Sequence, residues 1–347
     1  MEGKMKVAVM TKARTMEWTE RDIPQTNPGE LLIKLEYVGV CGSDLHFYQD
    51  GRLGTWIPDG PLVLGHEPGG VIVEVGEGVT GFAVGDKVAI EPGVPCGLCE
   101  YCKKGLYNLC ESMSFMAIPK EREGVFSEYC AHPAKMCYKL PDSMDTMEGA
   151  LIEPLSVGLH AVDLSGGKIG QSAFVLGCGC IGLVTIMVLK AMGIDEIYAV
   201  DVIDKRLAKA EELGAAKAIR GDKVDIVEFA KSLPGGGTDL VFETAGTKFT
   251  MLQTAKLVKK GGSVTLVGMP AESEFPFDIG MLMSKEAQLH TVFRYRNLYP
   301  TAIAAVSHGK IPLKSIVSHV YDFKDVIEAV DYNVNNKQDV IKAVIKY

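Results

Sequence analysis

Four cysteines are crowded into one short stretch of the N-terminal half of the chain. They follow the spacing C-x2-C-x2-C-x7-C and are Cys96, Cys99, Cys102 and Cys110. Four thiolates at such spacing suit the closed tetrahedral shell of a structural zinc. An iron–sulfur motif would place the fourth cysteine three residues after the third and before a proline, and neither holds here. The pattern predicts a structural zinc, with four unligated thiols as the alternative.

A second set of potential metal ligands lies upstream of the four cysteines. Cys41 begins the run Cys-Gly-Ser-Asp-Leu-His, and His66 and Glu67 follow later in the chain. A thiolate, an imidazole and a carboxylate give three protein ligands and leave a fourth position open, as in catalytic zinc sites. Each piece alone has an ordinary alternative, since a cysteine in an apolar stretch is commonly buried and a His-Glu pair commonly lies on the surface. Two different ligand sets in one region favour the metal interpretation of both.

A glycine-rich motif, G-x-G-x-x-G, occupies residues 177–182. A strand is predicted at 173–176, an apolar helix follows the motif, and a second strand at 197–200 leads to Asp201. Backbone N–H groups at such a helix start bind a pyrophosphate, and a terminal carboxylate accepts hydrogen bonds from the adenosine ribose and repels a 2′-phosphate. This order predicts binding of NAD in preference to NADP, with a glycine turn that serves packing alone as the alternative.

The intervening segments indicate two kinds of domain around these motifs. Up to about residue 140, short β-prone runs alternate with glycine and proline turns, which is typical of a compact β-rich domain. After Asp201, strands alternate with helices of about a dozen residues, which predicts a doubly wound parallel sheet. From Gln288 the pattern is less regular, with a strand to Phe293, two helices and a last strand at 343–346.

Composition excludes several classes of partner. The chain has 347 residues and a formal net charge of −8 without a cluster of Lys and Arg, which argues against nucleic acid and anionic membranes and leaves small molecules. The N-terminus has no apolar signal region, and no apolar run approaches the ~20 residues of a membrane span, so we expect a cytoplasmic protein. Nine cysteines in a reducing compartment indicate metal binding rather than disulfides.

Taken together, the motifs resemble those of the zinc-dependent medium-chain alcohol dehydrogenases. The resemblance rests on G-H-E-x2-G at 65–70, the four cysteines and the nucleotide motif, and it covers nearly the whole chain. Segments 89–93, 148–158 and 292–295 are similar to the polyol branch, the sorbitol (L-iditol) and xylitol dehydrogenases. The implied α/β fold has a GroES-like β-rich catalytic domain at 1–154 and 290–347 and a Rossmann doubly wound parallel-sheet domain at 155–289. The resemblance also implies that zinc and nicotinamide lie in the cleft between these domains.

The same resemblance implies roles for individual residues. The catalytic zinc ligands are Cys41, His66 and Glu67, with Glu153 bound to the zinc water or replacing it, while Ser43 and His46 form a proton relay. The implied cofactor residues are Gly177, Gly179, Ile181, Gly182, Asp201, Arg206, Val267, Gly268, Met269, Val292, Phe293 and Arg294. The implied substrate-binding residues are Phe47, Phe115, Glu153, Arg294 and Tyr295; Phe47 stands where animal-type members have a tyrosine. For His46 and Arg294 the alternative is an ordinary surface residue, although the place of Arg294 between Phe293 and Tyr295 favours the pocket; Arg206 could equally be a solvated helix residue.

The function that the resemblance implies is NAD-dependent, zinc-dependent oxidation of a polyol (sorbitol, L-iditol or xylitol) to its ketose. A homotetramer with one catalytic and one structural zinc per chain is expected. One alternative is a related zinc dehydrogenase for another secondary alcohol, such as butanediol or L-threonine. Another is a non-catalytic dinucleotide-binding protein of the same fold. The presence of every implied catalytic residue argues against that last alternative; these are Cys41, Ser43, His46, His66, Glu67 and Glu153.

Overall fold

Strands dominate the N-terminal part of the chain, where β-branched and leucine-rich runs are separated by glycine and proline turns. The computed structural model describes residues 2–270 and 274–347. In chain order the first elements are β1 (Lys4–Lys12), β2 (Thr15–Asp22), β3 (Glu30–Val40), α1 (Gly42–Asp50), β4 (Leu62–Val63), β5 (Glu67–Val75), β6 (Lys87–Ile90), β7 (Gly93–Val94), α2 (Glu100–Lys103), β8 (Ser114–Phe115), β9 (Tyr129–Pro133), β10 (Cys137–Lys139) and α3 (Thr146–Ser165).

The long strand β3 organises this part of the molecule. It pairs antiparallel with β5 and with β9, and β6 and β10 extend the same sheet beyond β5. Gly39 near the end of β3 lies opposite Glu67 at the start of β5. Because Cys41 follows β3 directly and His66 precedes β5, this register brings the mixed set of potential ligands to one edge of the sheet.

A parallel sheet with crossover helices follows α3. Its elements are β11 (Ser172–Leu176), α4 (Cys180–Ala191), β12 (Glu196–Asp201), α5 (Asp204–Glu212), β13 (Lys217–Arg220), α6 (Ile226–Lys231), β14 (Thr238–Glu243), α7 (Lys248–Leu257), β15 (Val258–Leu266), α8 (Ile279–Lys285) and β16 (Gln288–Thr291). The order β13-β12-β11-β14-β15-β16, with every pair parallel, is that of a dinucleotide-binding Rossmann sheet. The predicted fold class is thereby confirmed. Helix α8 was not predicted.

The C-terminal segment returns to the first sheet. After α9 (Tyr299–Ser307) come β17 (Val317–Asp322), α10 (Val326–Asn335) and β18 (Lys342–Lys346). Strand β18 pairs antiparallel with β3, and β17 pairs parallel with β18. The C-terminus therefore completes the sheet that carries Cys41 and Glu67.

The chain divides into two compact units. The first comprises Met1–Glu153, Tyr299–Gly309 and Leu313–Tyr347, and the second comprises Pro154–Leu298 and Lys310–Pro312. The predicted boundaries were 154/155 and 289/290. These boundaries stay a prediction; strand β16, next to the second of them, pairs with β15 in the parallel sheet. Each unit has its own apolar core, one between β1, β3, β5 and α10 and the other around β11, β14 and β15.

Among the helices of the described residues, none combines the length and the apolar character that crossing a bilayer requires.

Glu91, just beyond β6, is a buried carboxyl whose partners are hydroxyl groups. The Tyr107 hydroxyl donates to Oε1 at 2.8 Å and the Tyr138 hydroxyl to Oε2 at 2.9 Å. His132 Nε2 lies 2.9 Å from the backbone carbonyl of Glu91. Burial raises the pKa of Glu91 to about 7, although both tyrosine hydrogen bonds oppose the shift. This residue ties the four-cysteine segment, through Tyr107, to β6 and β10.

The raised pKa predicts a pH-dependent stability. Between the ordinary carboxyl pKa of 4.5 and about 7, folded Glu91 keeps a proton that the unfolded chain has released. The free energy of unfolding therefore falls as pH rises through this window. Between pH 6 and pH 8 we expect wild type to lose about 1 kcal/mol more than Glu91→Gln, measured by denaturant unfolding at each pH. The same pH dependence in both proteins would contradict this assignment.

Candidate active site and metal centres

The four cysteines converge in the folded chain. The sulfur atoms of Cys96, Cys99, Cys102 and Cys110 all lie within 4.8 Å of one another. Backbone N–H groups of Leu98 and Cys99 donate to Cys96 Sγ at 3.4 and 3.3 Å. These hydrogen bonds lower the pKa of Cys96 to about 6. Four thiolates supported by backbone donors fit a closed structural zinc site.

A second group of donor atoms is formed by Cys41, His66 and Glu67. The ligand atoms of these three residues also lie within 4.8 Å of one another, and His66 and Glu67 are buried. Gly65 turns the chain just before His66, with φ of +88°, and a Cβ there would lie 2.7 Å from the Phe126 ring. Only glycine therefore allows the turn that presents His66 beside Cys41. We refer to this group as the mixed cluster.

Asp44 supports the mixed cluster, and the sequence interpretation missed it. Its fully buried carboxylate accepts hydrogen bonds from the backbone N–H groups of Cys41 at 3.0 Å and Gly65 at 2.9 Å. Oδ1 also lies 3.4 Å from His66 Nδ1. A carboxylate at Nδ1 places the proton there and leaves Nε2 as the metal ligand. The only available signal was its place within Cys-Gly-Ser-Asp.

The same contacts affect the protonation of His66. Burial opposes a charged imidazole, but Asp44 and Cys41 outweigh it and raise the pKa of His66 well above its ordinary value. Asp44 stays ionised because His66 and the two backbone donors together outweigh its own burial, which leaves its pKa lowered. The imidazole of His66 in the mixed cluster therefore has an ionised carboxylate, that of Asp44, next to it.

The donor chemistry of the mixed cluster fits zinc. Thiolate, imidazole and carboxylate are its usual protein ligands, and three of them leave one coordination position open. Glu153 is buried near the middle of α3, but among the described residues it is not part of the group whose donor atoms meet. Its predicted part in the zinc shell stays a prediction.

The remaining predicted residues of the first unit lie in different environments. The Phe115 ring is 5.8 Å from the His66 ring, so it flanks the mixed cluster. Phe47 is 1% exposed and belongs to the core of this unit, so its predicted contact with substrate stays a prediction. On α1, Ser43 is half-buried, while His46 is exposed with Nδ1 3.3 Å from Asp50 Oδ2.

In the second unit, the glycine motif forms a turn that is closed on one side and open on the other. A Cβ on Gly177 would lie 2.8 Å from the backbone nitrogen of Ala245, and one on Gly182 would overlap the Gly177 carbonyl. A Cβ on Gly179 would meet only Arg206 Nη1, at 4.0 Å. Gly179 also caps the N-terminus of α4. The open side at this helix start fits the close approach of a pyrophosphate.

Asp201 is oriented at the carboxyl end of β12, next to the glycine turn. Its carboxylate accepts hydrogen bonds from the backbone N–H groups of Cys178 at 2.7 Å, Val202 at 2.7 Å and Ile203 at 3.0 Å. The position at the end of the second strand of the motif is the one from which a carboxylate contacts the adenosine ribose. Ile181 is half-buried in the first turn of α4.

Glu243, which was not predicted from the sequence, binds the predicted cofactor segment that contains Val267 and Gly268. Its backbone carbonyl accepts from the N–H groups of Val267 at 2.8 Å and Gly268 at 3.0 Å. Its buried carboxyl accepts from Ala245 and Gly246, and burial raises its pKa. Next to this segment Met269 is 54% exposed.

The segment after β16 holds the last predicted residues. Arg294 has φ of +55°, and its guanidinium lies 4.9 Å from the centre of the Phe293 ring. Val292 is half-buried and Tyr295 is 2% exposed. The roles predicted for these residues in binding substrate and cofactor stay predictions.

Comparison with known proteins agrees with this geometry. Residues 27–142 match the alcohol dehydrogenase GroES-like domain, and residues 180–308 match the zinc-binding dehydrogenase domain. The chain is 46% identical over 345 residues to an uncharacterized zinc-type alcohol dehydrogenase-like protein of Escherichia coli (strain K12), with 98% of both chains covered. It is 36% identical to the sorbitol dehydrogenase of Bacillus subtilis (strain 168), covering 98% of this chain and 97% of that protein.

The chain belongs to the zinc-dependent medium-chain alcohol dehydrogenases, in their polyol branch. A solved structure of this family, the 2R,3R-butanediol dehydrogenase from Bacillus subtilis, superposes with a TM-score of 0.90 at 33% identity and covers 99% of both chains. The GroES-like and Rossmann architecture expected from the resemblance is confirmed. The family assignment makes the chain an oxidoreductase.

The contacts of Asp44 predict its effect on metal binding. Asp44→Asn keeps the shape of the side chain but loses the charge that orients His66. We therefore expect the affinity of the mixed cluster for zinc, the second zinc of the chain, to fall about 10–100-fold. Zinc content during competition with a chelator measures this, and Asp50→Asn on the exposed side of α1 is the control. Unchanged zinc affinity in Asp44→Asn would contradict the supporting role.

The four-cysteine site predicts a separate loss of metal. Cys99→Ser removes one thiolate, so the protein should lose one zinc and part of its stability while the folded fraction keeps the zinc of the mixed cluster. Metal analysis of the folded fraction together with thermal melting tests this. Two zincs per chain in Cys99→Ser would show that the four cysteines do not form a metal site.

Proposed function

We propose that the protein is an NAD-dependent polyol dehydrogenase that oxidises a secondary hydroxyl of sorbitol, L-iditol or xylitol to the ketose. The observation that carries the proposal is the mixed cluster supported by Asp44. The same chain has a glycine turn typical of dinucleotide binding, with the Asp201 carboxylate fixed beside it. Similarity to a sorbitol dehydrogenase along nearly the whole chain supports the choice of substrate class.

Each residue of the mixed cluster has a distinct task in this proposal. Cys41, His66 and Glu67 would hold the catalytic zinc, and Asp44 keeps His66 in the ligating tautomer. A zinc in this place supplies Lewis acidity, which lowers the pKa of a substrate hydroxyl toward neutrality. The buried carboxyl of Glu153 would accept a hydrogen bond from the substrate.

The proton released from the substrate hydroxyl needs a path to solvent. Ser43 and His46 share α1, and His46 is exposed with Nδ1 3.3 Å from Asp50 Oδ2. We assign them the relay of this proton, with His46 as the group that exchanges it with water. His46→Ala should therefore slow turnover most at low pH, where hydroxide and buffer bases are scarce.

The preference for NAD follows from the surroundings of Asp201. Three backbone N–H groups fix its carboxylate at the end of β12, where it would accept hydrogen bonds from the ribose hydroxyls. A 2′-phosphate in the same place would meet a negative charge. We therefore expect NAD to be used and NADP to be used poorly.

Polar groups distinguish a polyol from a simple alcohol. We assign Glu153, Arg294 and Tyr295 to hydrogen bonds with the additional hydroxyls of the substrate. An alcohol lacking those hydroxyls would leave buried polar groups unpaired, which selects strongly against it. Phe115, beside His66, would supply the apolar wall.

The test is the initial rate of cofactor reduction on sorbitol, xylitol, L-iditol, galactitol, 2,3-butanediol and L-threonine, with NAD and with NADP. We expect the highest kcat/KM with a polyol and NAD. Cys41→Ser should lower kcat/KM by more than ~100-fold, which is the largest loss expected when a residue that only supports a metal ligand is replaced. Cys130→Ala, a buried thiol outside both metal groups, is the control.

Other outcomes would replace the proposal. Highest activity on 2,3-butanediol or L-threonine would assign the chain to another secondary alcohol. No turnover of any alcohol by zinc-loaded protein would favour a non-catalytic dinucleotide-binding protein. Equal activity in Cys41→Ser and wild type would refute the role of the mixed cluster.

A further inference from the structure

Glu67 of the mixed cluster is paired with a lysine inside the protein. Lys342, the first residue of β18, directs Nζ at Glu67 Oε2, and both side chains are almost completely buried. Nζ also donates to the backbone carbonyl of Val40 at 3.0 Å. A lysine is rarely buried without a partner because removing its charge from water is unfavourable. Glu67 is therefore the partner that allows Lys342 to be buried.

Gly39 provides the space for this pair. A Cβ on Gly39 would overlap Glu67 Oε2, although the backbone at Gly39 is not in the left-handed region. Glycine is thus needed here for room and not for conformation. The Glu67 carboxylate lies directly against the backbone of β3.

The sheet register produces this arrangement. Gly39 lies opposite Glu67 across the β3–β5 pair, and Val40 lies opposite Ala343 across the β3–β18 pair. Lys342 precedes Ala343, so three adjacent strands contribute the space, the carboxylate and the ammonium group. Cys41 comes directly after the end of the middle strand, β3.

A carboxylate has two oxygens, and their partners determine how it binds a metal. Lys342 engages Oε2. A carboxylate with one oxygen held by an ammonium group is restricted to offering the other, and it cannot rotate freely away from the site. The positive charge also offsets one of the two anionic ligands, Cys41 and Glu67.

From this geometry we propose that Gly39 and Lys342 form a pocket for the Glu67 carboxylate. In this pocket Glu67 is held so that it binds the metal of the mixed cluster through one oxygen. Lys342 is a positioning residue and does not contact the substrate. The inference rests on the proposed function only in requiring that Cys41, His66 and Glu67 bind a metal. It adds that the C-terminal strand β18 controls that binding.

The experiment measures the metal bound to the purified protein in the absence of substrate. Lys342→Met removes the ammonium group while keeping an unbranched side chain, and Lys346→Met, exposed on the same strand, is the matched control. During titration with a chelator we expect the second zinc of Lys342→Met to dissociate about 10–100-fold more readily, with the four-cysteine zinc unchanged. Lys346→Met should match wild type.

Cobalt substitution reports on the ligand set itself. In Lys342→Met the visible absorption of Co²⁺ at the mixed cluster should change, because Glu67 is no longer held, whereas Lys342→Arg should restore part of the wild-type spectrum. Identical cobalt spectra and zinc affinities in Lys342→Met and wild type would overturn the proposal.

Gly39→Ala gives a second test if Lys342→Met does not fold. Its methyl group displaces the Glu67 carboxylate and leaves Lys342 in place, so the second zinc should again be weakened. Wild-type zinc affinity in Gly39→Ala would likewise overturn the proposal. A wild-type protein that binds only the four-cysteine zinc would instead refute the proposed function, so the two failures are distinguishable.

Discussion

The buried carboxylate of Asp44 joins the two chain segments on which the mixed cluster depends. It binds backbone N–H groups on both sides of the site, one at Cys41 and one at Gly65, and also faces His66. Neither segment belongs to a strand at these points, so sheet hydrogen bonds alone do not fix their separation. One ionised side chain therefore sets the distance between a thiolate and an imidazole, with the strand register placing Glu67 beside them.

The buried carboxyl groups of the protein differ in whether their partners stabilise a negative charge. Asp44 has backbone donors and His66, and Glu67 has Lys342, so both keep compensating partners for a negative charge. Glu91 and Glu243 have hydroxyl and backbone donors, and burial raises the pKa of each. The carboxyls at the mixed cluster are thus provided with charge-stabilising partners, whereas Glu91 and Glu243 are shifted toward the neutral acid.

The parts predicted from sequence are those whose residues lie close together in the chain. The four cysteines and the glycine turn each occupy one local stretch, so spacing alone indicated their chemistry, and alternating strands and helices indicated the parallel sheet. Helix α8, which is seven residues long, was not predicted. The pairing of β16 with β15 is a tertiary contact, so local sequence did not indicate it.

The supporting residues of the mixed cluster could not be predicted in the same way. Lys342 is 275 positions from Glu67, and only the pairing of β18 with β3 and of β3 with β5 brings them together. Asp44 is close to Cys41 in sequence, but its function depends on reaching Gly65 and His66 from another segment. Sequence motifs indicated the ligands, whereas sheet register positions Lys342 and a contact between α1 and the Gly65 segment positions Asp44.

X-ray absorption at the zinc edge of the purified protein tests the central claim that the chain has two metal sites of different chemistry. Two zincs per chain are expected to share five sulfur ligands, four from one site and one from Cys41, with nitrogen from His66 and oxygen from Glu67 as further direct ligands in the mixed cluster. One zinc per chain surrounded by four sulfurs would contradict it, because the mixed cluster would then hold no metal.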